Sequence, residues 1–397
     1  MTKMLISGVR PLTRAGWTGF ATSMLLCSPA LVAGARDAEP MEVYHQYEGT
    51  IGTKAVHAIL RSTTTLEWEK TWSGSYDYEA FGQPISLFWS HTSDGSMELF
   101  ETAPDKMDPT GKWQISIDGG DISGTWSSPD QKTSLPIKLH EVTPEGAVEI
   151  EVVNFSSSWN RSRETKQLGI SNRLSVIQVK GSGEATQTLN QNLRSTILDR
   201  QFPVNPESKA SPAAPPQLSD LEKATIATPP EELDWEFPYV EETSNLMNLV
   251  MNESDLLCVA NFYYGFTGGA HGNYSYQHST YDTRTGAKLD LPSMIKPGYE
   301  PRWTSLAAGI IRKRAGVAAD APMTEAGLLD DEFHLSDDWF LTSGGIGISY
   351  DPYEIASFAD GQITIFLPWE DIQADLIADT PVDRLAKRFL ARRAKDD

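Results

Sequence analysis

The sequence predicts an α+β protein: an N-terminal all-β antiparallel meander, closed as a barrel or folded as a sandwich, followed by an α+β region. Three observations predict it. Short alternating apolar–polar segments recur every 8–12 residues between residues 41 and 153, with no helical period among them. Helical spacing then appears in Gln187–Arg200, where Leu189, Leu193 and Ile197 fall on one face. Beyond Trp235 the two periods alternate.

The strand segments of the meander are Val56–Leu60, Tyr76–Tyr78, Ile85–Trp89, Met97–Leu99, Trp113–Ile117, Ile122–Trp126, Leu135–Leu139 and Val148–Val152. Turn signals separate them: Asp94-Gly95, Pro109-Thr110-Gly111, Asp118-Gly119-Gly120 and Ser128-Pro129-Asp130. Pro136 has no N–H to give to a ladder and marks an edge or a bulge. Residues 154–200 read as an α/β segment. The stretch 201–234, rich in Pro, Ala and Ser, reads as a linker or long loop. Residues 235–397 form the last domain, with strands at Leu256–Tyr264, Tyr274–Asp282 and Gln362–Leu367. Phe333–Leu341 and Gly345–Tyr350 read as a hairpin, and Trp303–Arg314 and Val382–Lys395 as helices. The last of these ends in five cations, which suit a helix C-terminus.

The N-terminus reads as a cleavable signal peptide spanning residues 1–35. Lys3, Arg10 and Arg14 give a positive start, Ala15–Val32 is mostly apolar, and Ala33-Gly34-Ala35 is a small-x-small cleavage site. The β-rich domain would then run from 36 to 153. The expected location is periplasmic or secreted, with no membrane span once residues 1–35 are removed. Cleavage takes away three cations and moves the formal net charge from -21 to -24. A surface so acidic repels nucleic acid and anionic lipid, and speeds encounter with a basic partner. Cleavage also leaves Cys258 as the one cysteine, so no internal disulfide is available. Cys258 lies in the apolar run Leu256–Ala260, which predicts a buried, inert thiol.

Strong enzyme signals are missing. The sequence holds no Gly-x-Ser-x-Gly elbow, no phosphate-binding Gly-rich loop and no dinucleotide fingerprint, so no cofactor is expected. Its seven histidines form no pair at helical spacing of the kind a zinc site needs. One segment stands out, Asn261–Tyr274, with four glycines in eight residues (265–272). Glycine weakens both helix and strand, so such a density points to a tight connection with accessible backbone. Two readings stand side by side. In one, Tyr264, Gly268, Gly269, Ala270, His271 and Gly272 form a recognition loop, with His271 as the hydrogen-bonding group. In the other, the glycines only let two strands pack closely.

Phe262-Tyr263-Tyr264 with Thr267–Gly272, then Tyr281-Asp282, Thr285-Gly286 and Lys288-Leu289-x-Leu291, is similar to the C-terminal domain of the RsiV family. So are Trp339-Phe340, Tyr350–Ala356, Phe358-Ala359-x-Gly361 and Phe366–Trp369. The motifs keep their order over roughly residues 240–372. The resemblance implies an extracytoplasmic domain, which binds lysozyme in the anti-sigma factors of that family and accompanies a polysaccharide deacetylase in some wall enzymes. With residues 1–35 cleaved, neither the membrane helix nor the deacetylase of those relatives is expected here. The leading expectation is therefore an exported envelope binding protein that recognises a lysozyme-like basic protein or a wall glycan; Trp68, Trp72, Trp89, Trp113 and Trp126 are candidate sugar-stacking rings, with core packing as the reading favoured for most of them. The alternatives are a wall-acting hydrolase with Asp/Glu acid–base groups, recognisable by a deep pocket holding two carboxylates, and an immunity-type inhibitor of a wall hydrolase.

Overall fold

Alternation of inward and outward side chains closes the first strands on themselves. The computed structural model describes residues 41–64, 70–90, 97–104, 106, 108–163, 166–198, 215–227 and 239–396. The signal segment, Trp68, His91 and most of the Pro-rich stretch lie outside these. Strands β1 (Met41–Ile51), β2 (Lys54–Thr64), β3 (Lys70–Tyr78), β4 (Ile85–Ser90), β5 (Met97–Thr102), β6 (Gly111–Asp118), β7 (Asp121–Ser127) and β8 (Ser134–Glu141) form a closed antiparallel barrel. Closure comes from β8 returning to β1, with Tyr47 opposite Glu141 and Ile51 opposite Ile137. Pro136 sits one residue beyond that ladder, at its end.

The barrel interior is a packed core. Tyr47, Leu60, Leu87, Leu99, Trp113 and Ile122 are each at most 2% exposed, which leaves no lumen for a carried ligand. Trp72 is buried with them, and Trp89 and Trp126 pack against the same core. These tryptophans therefore serve packing more than an open stacking surface. Glu101 also points inward, and its carboxylate accepts from the Tyr76 hydroxyl (2.7 Å), Trp126 Nε1 (2.6 Å) and the Thr110 hydroxyl (2.9 Å). Burial and the neighbouring Glu101 push the Tyr76 phenol far up, so it stays a donor.

A second sheet runs β13-β12-β11-β10-β9, from β9 (Ile150–Arg163), β10 (Lys166–Val179), β11 (Tyr239–Glu253), β12 (Leu256–Phe266) and β13 (Asn273–Asp282). Val148–Val152, placed with the meander by its spacing, instead leads into β9. The pair β10–β11 is parallel and so needs a crossover. Helix α1 (Glu184–Leu198) belongs to that crossover and packs Leu189, Leu193 and Ile197 onto the sheet. Its last carbonyls are met by strand side chains: Asn245 donates to Ile197 O and Asn261 to Thr196 O. Within the Pro-rich stretch, α2 (Leu218–Ala224) anchors through a fully buried Leu221.

The remainder folds as β14 (Trp339–Thr342), β15 (Gly345–Tyr350) and β16 (Ile363–Pro368) beneath α3 (Glu300–Ala315), α4 (Trp369–Ile372) and α5 (Pro381–Asp396). Its core holds Trp303, Trp369, Leu367, Leu385 and Phe389. The hairpin expected from Phe333 starts only at Trp339, because the preceding residues pack rather than pair. The Phe333 ring lies 5.8 Å from Tyr350, and Asp338 turns its carboxylate onto a neighbouring strand.

Candidate functional site

The glycine-rich segment is the turn between β12 and β13. Their ladder runs to Tyr264 opposite Tyr274 and Gly265 opposite Asn273, and the chain from Thr267 to His271 projects beyond it, exposed. Gly268 and Gly269 take φ values of 95° and 101°, a region that side chains disfavour, yet nothing lies within 4 Å of where their Cβ atoms would stand. The turn therefore stands clear of the body. Gly272 differs, since a Cβ there would meet the Tyr264 ring at 2.5 Å. Of the residues singled out from the sequence, Tyr264 and Gly272 thus form the base, and Gly268, Gly269, Ala270 and His271 the tip.

His271 links tip and base. Its Nδ1 lies 2.9 Å from the Gly272 carbonyl, which can only accept, so Nδ1 is the donor in this contact. The ring stacks on Phe358 at 4.2 Å and 23°. Phe358 in turn meets Tyr353 (5.6 Å) and Tyr274 (5.8 Å). From Tyr274 the rings continue along β13 through Tyr276 to His278, which stacks on Phe340 at 4.5 Å. Period two puts Tyr274, Tyr276 and His278 on one face of the strand. Burial, the largest cause, raises the phenols of Tyr264 and Tyr274 and takes Tyr276 up to about 12, so all three remain neutral donors. Tyr353 is 59% exposed and holds φ at 70°, strained for an aromatic residue.

The free edge of β13 is closed by carboxylates. Tyr276 N donates to Asp351 Oδ1 (2.7 Å), His278 N donates to Asp338 Oδ1 (2.6 Å), and the His278 ring meets Asp338 Oδ2 (2.8 Å). Alternate N–H groups of an edge strand point outward, and an acceptor on each blocks pairing with another chain. The charge around the hairpin is acidic: Glu241 and Glu242 lie at the start of β11, and Glu354 and Asp360 are exposed beside the rings.

A second cluster lies where the barrel meets the sheets. Arg61 donates to Asn248 (2.9 Å), and the Tyr44 hydroxyl accepts from Leu249 N (3.2 Å). The two backbones touch at Gly82 and Gly344, where a Cβ on Gly82 would stand 2.3 Å from Gly344 N. Beside this contact a cavity of about 60 Å³ is lined by His57, Asp77, Glu253 and Ser343, among others. His57 Nδ1 is 3.6 Å from Asp77 Oδ1. Burial lowers the His57 pKa, but Asp77 and then Glu253 and Glu79 more than offset it and leave it raised. Burial raises Glu253 against the opposing pull of Arg392 and His57. No local pattern marks this cluster, because its members come from β2, β3, β11 and the turn between β14 and β15. It places carboxylates in a cleft, as a hydrolase would, but its volume is far below the ~300 Å³ at which small-molecule sites begin.

Among the described residues, no group of three or more His, Cys, Asp or Glu side chains is arranged to hold a metal ion, and no helix is long and apolar enough to cross a membrane. Cys258 is buried, accepts from the Thr280 hydroxyl (3.3 Å), and has its thiol pushed up to about 11 by burial.

Residues 293–370 match the family described as "Protein of unknown function (DUF3298)". The matched stretch contains Asp338, Asp351, Tyr353 and Phe358, which form the seat of the hairpin, and ends before α5. Among solved structures, the chain is similar to a DUF3298-family protein from Bacteroides fragilis NCTC 9343, with 17% identity, a TM-score of 0.45, and coverage of 61% of this chain and 99% of that one. It is likewise similar to a DUF3298-family protein from Pseudomonas aeruginosa PAO1, with 17% identity, a TM-score of 0.42, and coverage of 59% and 97%. No curated protein matches.

Proposed function

We propose that this chain is an exported envelope binding protein, of the RsiV type in its C-terminal region, that recognises a basic wall-lytic protein of the lysozyme kind through the hairpin tip 267–271. The observation that carries the reading is the form of the tip: it projects from the sheet, touches little of the body, and is seated on stacked rings in an acidic surround. A projecting loop suits entry into a partner's cleft, and the junction cavity is too small to accept a sugar ring. The formal charge of -21 adds attraction for a basic partner. Export rests on the N-terminal segment 1–35 and its small-x-small site.

Titration of the chain with a lysozyme at about 20 mM and about 300 mM salt, by calorimetry, tests the reading. Binding that survives high salt and is lost in Gly269→Val and His271→Ala is expected. Binding abolished by salt and indifferent to both substitutions would reduce the interaction to charge attraction. A second reading, a wall glycan, is favoured by the exposed Tyr353 ring. Saturable binding of soluble wall fragments, lost in Tyr353→Ala, would select it.

A further inference from the structure

One mouth of the barrel, where β1 begins and β2 and β8 end, carries three polar side chains that neither the hydrophobic core nor the hairpin uses. The period of two places His45 on the inward face of β1 with Tyr47 and Ile51, and Ser62 on the inward face of β2 with Ala58 and Leu60. Glu141 follows Leu139 on the inward face of β8. Register brings the three together. His45 is paired with Leu60, so Ser62 is its diagonal neighbour on one flank, and Glu141 is paired with Tyr47, so it is the diagonal neighbour on the other. His45 and Glu141 are 96 residues apart in the chain, which leaves no local motif to read.

The three side chains meet in order. His45 Nδ1 donates to Glu141 Oε1 (2.7 Å), and His45 Nε2 lies 3.4 Å from Ser62 Oγ. With Nδ1 as the donor, the neutral imidazole holds its lone pair on Nε2, the nitrogen that meets the Ser62 hydroxyl. The ring is held by its neighbours: Trp72, opposite Ser62 on β3, packs against it at 5.3 Å and 38°, and Tyr47 lies 6.2 Å away. A hydroxyl, a base facing it and a carboxylate that orients the base are the parts of an activated nucleophile. The 3.4 Å step is long for a hydrogen bond, as such steps often are before substrate closes them.

The mouth is open at this point. The His45 side chain is 20% exposed and Glu141 more so, while Ser62 is 2% exposed. Met41 and Val43 are exposed on the same inward face, and Val43 is the residue opposite Ser62 in the β1–β2 ladder. An apolar lip therefore borders the hydroxyl. It suits an uncharged acyl group, and the low exposure of Ser62 favours a small one.

We propose that Ser62, His45 and Glu141 form a nucleophilic triad at the barrel mouth that accepts the acyl group of a small, uncharged ester. Ser62 Oγ bonds to the carbonyl carbon as its proton passes to His45 Nε2. The ester C–O bond breaks, and the leaving oxygen takes that proton and departs as the alcohol. Water then attacks the acyl-serine with His45 as base, the acid leaves, and the Ser62 hydroxyl is restored. Ser62 and His45 are the catalytic residues, and Glu141 positions the imidazole. The backbone on either side of Ser62 is committed to the β1–β2 and β2–β3 ladders, so no pair of N–H groups is free to hold an oxyanion. Acylation is therefore slow, about 100-fold or more below a site with such donors. This chemistry belongs to the barrel and does not depend on recognition by the tip 267–271.

Labelling of the whole native chain with a fluorophosphonate, with the adduct located by peptide mass mapping, tests the triad. The expected result is an adduct on Ser62 that does not form when the chain is first unfolded in urea. Prior labelling should also abolish hydrolysis of p-nitrophenyl acetate above the rate of the unfolded chain. His45→Ala should slow the labelling about 100-fold or more. Glu141→Gln should slow it about tenfold at an unchanged denaturation midpoint, a split that a merely structural carboxylate would not produce. A native chain that gains no adduct on Ser62 would overturn the triad. So would labelling of Ser62 that proceeds equally in urea or in His45→Ala, or ester hydrolysis that survives the labelling undiminished. If His45→Ala does not fold, the wild-type map and its urea control still decide.

Discussion

Replacing Asp338 with alanine removes the acceptor that closes the β13 edge beneath the hairpin. Two bonds are lost, one from His278 N at 2.6 Å and one from the His278 ring at 2.8 Å. A hydrogen bond to a charged group contributes about 1.5–3 kcal/mol, so the pair spans about 3–6 kcal/mol. The Asp338 side chain is 19% exposed, so water can partly replace it, and the lower end, about 3 kcal/mol, is the expected loss. Asp338→Asn separates the contributions. Its amide oxygen can still accept from the backbone, and its NH₂ can donate to Nδ1 once the imidazole moves its proton to Nε2. The expected cost of that variant is about 1 kcal/mol. Urea denaturation followed by tryptophan fluorescence measures both, and light scattering follows any association through the opened edge. An alanine variant within about 0.5 kcal/mol of wild type would refute the view that these carboxylates carry the edge.

Three further outcomes follow from the same geometry. Glu101→Ala orphans three donors inside the barrel and should cost more than about 3 kcal/mol, against about 1–2 kcal/mol for Tyr76→Phe, read from denaturation midpoints. Gly272→Ala pushes a methyl into the Tyr264 ring and should cost about 1–3 kcal/mol with a changed near-ultraviolet spectrum, whereas Gly268→Ala meets no atom and should cost only about 1 kcal/mol from its positive φ. Cys258 should resist a thiol reagent at pH 8 in the folded protein and react at once in urea, since its thiol is buried and pushed up to about 11; rapid labelling of the native chain would contradict this.

Much of the architecture was legible where one period governs a segment. Val56, Ala58 and Leu60 alternate cleanly, and β2 buries those three residues. Leu189, Leu193 and Ile197 mark α1 for the same reason. The misses fall where burial on both faces erases the period. Tyr239–Glu253 reads as a mixture of acidic, Asn and Met residues, yet it is a central strand, because its asparagines serve the crossover helix and the neighbouring segment through their side chains. β1 was likewise hidden behind tyrosines and a histidine, whose packing depends on partners far along the chain. At the site, glycine density located the turn, but Asp338, Asp351 and Phe358 lie 60 or more residues from it in sequence. A backbone N–H satisfied by a distant carboxylate leaves no local signature.

The division between seat and tip has a physical consequence for how such a protein can change its partner. Asp338, Asp351 and Phe358 are fixed by what they touch: two edge N–H groups and a stacked ring. Altering any of them disturbs the sheet itself, and all three fall in the stretch that matches the family model. Gly268 and Gly269 precede that stretch and have no atom within 4 Å of where a Cβ would stand. The tip can therefore accept new residues at the cost of a strained φ or a new turn type, while the sheet beneath stays intact. Binding specificity carried on such a loop is decoupled from folding, as it is wherever a rigid scaffold presents a variable connection. His271 lies at the boundary between the two, its Nδ1 on the Gly272 carbonyl and its ring stacked on Phe358, so it ties the tip to the seat.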